Sequence, residues 1–288
     1  MLFSTAIIAF ALQVGPNQPL TPLPDAHQEL RDRAPREGSA ISDPNSQWLA
    51  SCLDLIEENA ARAHTLAQVR RNETLGAERV LANHCLGLAA SDLGRWDEAA
   101  NAFWAAREET PETEQRMRAR FGALAGNAHL AAGQNPDALL TLSAAKSDAQ
   151  MAASATLEAI ASTDLARAMV AMEMPDRALA ALDDAIRLLP ENAESWLLKA
   201  TLLRRLDRLD EAQGVIERAS ELAPLNSAVG LEAGVIAILA GREEAARQSW
   251  QSVIDLAPES PAALTAQDYL AQLGPPSAPA VEEAEVPQ

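Results

Sequence analysis

Proline recurs after apolar segments at Pro190, Pro224 and Pro258, each 34 residues from the next. A fixed period of that length means stacked copies of one small unit, none of which buries its apolar face alone. With proline at position 32, three units run 159–192, 193–226 and 227–260. Two more align upstream at 80–113 and 119–152, with insertions of 5 and 6 residues around the second. Position 20 is alanine in all five (Ala99, Ala138, Ala178, Ala212, Ala246), and position 8 is always small (Gly87, Gly126, Ala166, Ala200, Gly234). Position 24 is bulky (Phe103, Leu142, Leu182, Ile216, Trp250). Small residues at two fixed places let a pair of helices approach closely, and the bulky one fills the remaining gap. Apolar residues make up 48% of the 288 but aromatics only 3%, so alanine must supply much of the interior.

The pattern resembles the tetratricopeptide repeat family over about residues 45–273, most clearly in LGLAASDLGRWDEAANAFWAAREETP at 86–111. The resemblance implies an all-α fold, a right-handed superhelical solenoid of helix-turn-helix repeats. Gly94, Gly133 or Gly241 would end a first helix, and the proline would stop a second one. Two departures stand out: the family's aromatic at position 4 occurs only as Trp196, and Gln150 replaces the proline of unit 119–152. Residues 45–74 read as a divergent helix pair, with Asp43 as N-cap candidate and Pro44 at the first helical position. Residues 261–273 read as a terminal helix that covers the last apolar face.

The two ends stand outside this pattern. Residues 1–12 resemble a signal peptide: LFSTAIIAFAL at 2–12 is apolar or small, has secretory length, and falls short of the roughly 18–20 residues that span a bilayer. Ala9 and Ala11 offer an A-x-A cleavage pattern, although no Lys or Arg precedes the apolar run. The expected location is therefore periplasmic or secreted, with a cytoplasmic one as the alternative. Residues 13–44 carry Pro16, Pro19, Pro22, Pro24, Pro35 and Pro44 and read as a disordered tether. Residues 274–288, with four prolines and Glu282, Glu283 and Glu285, read as a disordered acidic tail.

Lys plus Arg number 23 against 41 Asp plus Glu, a formal charge of −18 that repels nucleic-acid backbones and anionic membranes. No G-x-S-x-G, phosphate loop or H-E-x-x-H is present, and His27, His64, His84 and His129 are scattered. No catalytic residue, cofactor or metal is assigned. The resemblance implies a non-catalytic scaffold that binds a protein or peptide in its concave groove. A structural subunit of an envelope assembly, without a groove ligand, is the alternative. A metal-binding protein or metal-dependent enzyme would have to use Cys52, His64, His84 and Cys85, whose spacing matches no familiar zinc pattern. Cys52 and Cys85 lie 33 residues apart, nearly one repeat, which puts them at near-equivalent places on adjacent first helices. An exported chain with two cysteines favours a disulfide there; an offset register would leave two buried thiols.

In this family positions 2, 5, 9, 12 and 13 of each first helix line the groove. Here they include Arg120, Asn127, Arg167, Thr201, Arg204 and Arg205, and in the last unit Leu231, Val235, Ile238 and Leu239. Across all five units the acids at these positions are Asp92 and Glu194 against four arginines, a lining of net +2 in a chain of −18. Arginine's planar fork suits carboxylates, so the expected ligand is a peptide with acidic and apolar parts. Ala123, Asp164, Glu194 and Leu198 stand where chaperone-binding relatives carry Lys, Asn, Lys and Arg, so a chaperone tail is not implied.

If residues 1–12 are a cleaved signal, the native protein begins near Leu12 and lies outside the cytoplasm. N-terminal determination on protein from cell fractions checks this, and intact Met1 in the cytosol would contradict it.

Overall fold

Two chain-stopping devices recur along the molecule. The computed structural model describes residues 44–274; the signal-like segment, the tether up to Asp43 and the stretch 275–288 lie outside the described residues. The described chain is helical throughout, without a strand. A long α1 (Pro44–Glu73) precedes five helix pairs: α2 (Ala77–Asp92) with α3 (Trp96–Glu109), α4 (Gln115–Ala131) with α5 (Asn135–Met151), α6 (Ala155–Ala171) with α7 (Pro175–Leu188), α8 (Ala193–Arg205) with α9 (Leu209–Leu222), and α10 (Ser227–Leu239) with α11 (Glu243–Leu256). A single helix, α12 (Pro261–Leu273), follows. From Trp48 onward these helices form one compact unit, an all-α repeat solenoid.

The first device sits at position 15, where the backbone turns left-handed in every unit. Gly94, Gly133 and Gly241 hold φ values of 70° to 74°, and Glu173 and Asp207 adopt 58° and 59° without glycine's freedom. That conformation costs a side-chain-bearing residue about 1 kcal/mol. In all five units the next backbone N–H donates to the carbonyl five residues back: Arg95 to Ala90, Gln134 to His129, Met174 to Met169, Arg208 to Leu203 and Arg242 to Ala237, at 2.8–2.9 Å. These bonds close the helix end and reverse the chain.

The second device is proline followed two residues later by a cap. Leu189, Ala223 and Ala257 leave the helical region (ψ 74°, 66° and 79°), since a following proline disfavours it, and Asn192, Asn226 and Ser260 accept backbone N–H bonds from the helix that begins there. Unit 119–152 lacks this proline, and its second helix runs to 17 residues where α7, α9 and α11 have 14. Of the inserted residues, 115–118 and 155–158 join α4 and α6 as an extra N-terminal turn, while Ala153 makes a left-handed turn (φ 49°) before α6.

Packing follows the small-residue register. The position-20 alanines are fully buried, and the bulky residues at position 24 are at most 3% exposed. Polar links join neighbouring second helices: Arg107 Nε donates to Asp148 at 2.8 Å, both side chains buried, and Lys146 Nζ donates to Asp184 at 3.2 Å. At the C-terminal end Tyr269 packs on Trp250 with ring centroids 5.1 Å apart, while Arg247 donates to the Gly274 carbonyl at 2.9 Å and so clasps the end of α12. The outward residues Gln267 and Asp268 are polar, as a terminal helix requires.

The N-terminal pair takes a form that the pattern does not foretell. Residues 44–73 are one helix broken at Asn59 (φ −162°, ψ 90°), whose side chain caps the second half by accepting from Arg62 N at 3.0 Å. No glycine or multi-residue turn stands there. Cys52, before the break, and Cys85 on α2 are fully buried with sulfurs at bonding distance and Cα atoms 6.3 Å apart.

Unfolded, non-reduced protein is therefore expected to titrate with no free thiol, and reduction should lower stability by about 3–4 kcal/mol for a loop of this size. Two titratable thiols would mean that the bond is not made.

Candidate functional site

From α4 to α10, polar bonds tie each first helix to the next. Asn127 on α4 donates to Asp164 on α6 at 2.9 Å. Arg167, one helical turn beyond Asp164, donates both to Asp164 and to Glu194 on α8. Beside it, Thr163 and Ser195 share a buried hydroxyl hydrogen bond of 2.9 Å. Arg204 on α8 donates through Nε to Glu232 on α10 at 2.6 Å. The layer is thus cross-linked by side chains as well as by apolar packing.

These bonds correct the charge expected of the lining. The five lining positions give +2, but Asp164 and Glu232, both at position 6, face the same arginines. Counting them leaves four arginines against four carboxylates and no net charge. Arg167 and Arg204 serve the layer itself, because reversing either would set acid against acid in a half-buried place. Arg120 and Arg205 are exposed and have no ion-pair partner among the described residues. Thr201, Leu231 and Ile238 are half-buried and Leu239 is 45% exposed, whereas Val235, at 5%, belongs to the core. The in-helix pair Asp164 and Arg167 was detectable from its three-residue spacing. Glu232 had no local signal, since its partner lies 28 residues away.

The four residues of the metal alternative part company. Cys52 and Cys85 face one another, His64 Nε2 lies 2.8 Å from Glu98 Oε1, and the His84 ring packs edge-on against Phe121 at 5.2 Å. Among the described residues no group of three or more His, Cys, Asp or Glu converges as a metal site would. A shallow depression at the turn between α2 and α3, lined by Arg95, Trp96, Asp97 and Glu98, has its carboxylates engaged by Gln134 and His64. No helix among the described residues is long and apolar enough to cross a membrane.

Comparison with known proteins places this architecture. Residues 160–233 match the family model described as tetratricopeptide repeat. No curated protein matches the sequence. Solved structures match the fold: pilF of Pseudomonas aeruginosa (TM-score 0.59, 15% identity, 78% of this chain and 97% of that one) and BtubC (BKLC) from P. vanneervenii (0.56, 14%, 85% and 99%). The Cut9–Hcn1 hetero-tetramer of APC/C is similar too (0.59, 14%, 84% of this chain and 44% of that one). At these identities the likeness is one of fold. Over residues 160–233 the chain carries tetratricopeptide repeats, and the helix pairs on either side continue the same fold.

Asp164 is 1% exposed, and burial pushes its carboxyl up from the usual 3.8 to about 6, against the pull of Arg167 and Asn127 and with some help from Glu194. A carboxyl whose folded value is raised favours folding in its protonated form. Its contribution is complete below about 4 and is lost as pH rises through 6. Acidification from pH 7 to 5 should therefore add about 1–2 kcal/mol from this group, and Asp164→Asn should remove that gain. Urea unfolding at both pH values checks it; the same pH slope in both proteins would contradict the assignment.

Proposed function

We propose that this chain is a non-catalytic scaffold, exported by its N-terminal segment, that holds a protein or peptide along its first-helix layer. The observation that carries the reading is the contrast within that layer. Arg167 and Arg204 are engaged in bonds between repeats, while Arg120 and Arg205 are exposed without an ion-pair partner among the described residues. A layer whose units are already tied together has little ordering left to lose on binding, which favours affinity. Leu231, Ile238 and Leu239 offer apolar surface at the far end. The ligand that suits this arrangement has acidic residues for the two free arginines and an apolar part for the leucines.

Partner identification after crosslinking in the native cell, followed by binding of the isolated partner, tests the proposal. Arg120→Glu with Arg205→Glu should keep wild-type stability, since both side chains are exposed, and should weaken partner binding by tenfold or more. Added salt should weaken wild-type binding as well. Equal binding by wild type and the double variant would move the contact to the convex or end surfaces.

A further inference from the structure

The free arginine Arg205 is the last residue of α8, and Leu273 is the last residue of the equivalent helix two repeats on, so both stand at the same edge of the first-helix layer. Its neighbour Arg204 is bonded to Glu232 on α10, and α10 in turn packs against α12. Gly274 ends α12 only five residues after Tyr269, with its carbonyl held by Arg247. The sequence continues as PPSAPAVEEAEVPQ, with Glu282, Glu283 and Glu285 between Val281 and Val286. This is the acidic and apolar composition that the layer suits.

Resting on the reading of the layer as a surface for peptides, we infer that the chain's own segment 281–286 occupies its C-terminal end, with Glu282 or Glu283 on Arg205 and the valines against Leu239. Reach permits it. Neighbouring helix axes lie about 8–10 Å apart, so α8 stands about 20 Å from α12. Eight residues, the number from 275 to 282, can span about 25 Å at the 3.1 Å per residue of a proline-rich chain. Charge permits it too, because Arg205 has no ion-pair partner among the described residues and the segment carries three acids. A tethered occupant acts at millimolar effective concentration, so an outside ligand must displace it.

The test uses the full chain and a fluorescent peptide of residues 275–288 as probe. The variant Glu282→Gln, Glu283→Gln and Glu285→Gln leaves the layer vacant, and it should bind the peptide at least about tenfold more tightly than wild type does. Adding Arg205→Glu to that variant should abolish the binding, with helical content unchanged as the control for folding. Equal binding by wild type and the glutamine variant would overturn the inference, as would binding that ignores Arg205→Glu. If the peptide binds neither chain while Arg120→Glu with Arg205→Glu still loses the isolated partner, the inference fails and the scaffold reading stands.

Discussion

Everything in this solenoid depends on how closely the two helices of a unit approach one another. Position 8 of the first helix meets position 24 of the second, and there is no room for both to be large. Glycine stands opposite Phe103, Leu142 and Trp250, where an added Cβ would fall inside the facing side chain. Alanine suffices at Ala166 and Ala200, which lie in the units with Leu182 and Ile216. The alanines at position 20 let the backbones close the same gap from the other side. A core built from alanine gains little per residue, so stability has to come from many tight contacts repeated along the stack.

On that packed base, polar links act less as a source of stability than as a register. Arg107 with Asp148, and Asp164 with Arg167, are largely withdrawn from water, where the desolvation of both charges offsets much of their attraction. Their geometric effect is clearer. Arg107 with Asp148 fixes one second helix against the next, and Arg167, steadied by Asp164 on its own helix, reaches Glu194 on the next first helix, so together they set the path of the layer on which a ligand would lie. The proposed function follows from that division: some arginines bind the repeats together, and those left over face outward.

How much of this can be read in the sequence depends on how local its cause is. The 34-residue period, the small positions and the glycine turns are local constraints, and they were legible residue by residue. Glu173 and Asp207 show the limit, because the left-handed turn forms there too, enforced by the helices on either side. The caps at Asn192, Asn226 and Ser260 were equally local, two residues after each proline, and reading them would have fixed the helix starts. The break at Asn59 was not legible as such: a single extended residue with a capping side chain does the work expected of a turn. The charge of the layer was misread because carboxylates one turn away, or one repeat away, enter the same network. Spacing within one helix reveals Asp164 beside Arg167, but only the packed repeats reveal Glu232 beside Arg204.

Close approach makes a demand that runs against ordinary helix behaviour. Replacing glycine by alanine inside a helix normally stabilises it, by about 1 kcal/mol. At Gly234 the Trp250 indole occupies the space of the new methyl group and is pinned by its N–H bond to the Leu231 carbonyl at 3.1 Å. The most direct measurement is therefore equilibrium urea unfolding of Gly234→Ala beside Gly214→Ala, where an added Cβ meets nothing. A loss of about 1–3 kcal/mol for the first and a gain for the second is the expected pair of results. Stabilisation of both by the same amount would contradict the claim that close helix approach at position 8 governs this fold.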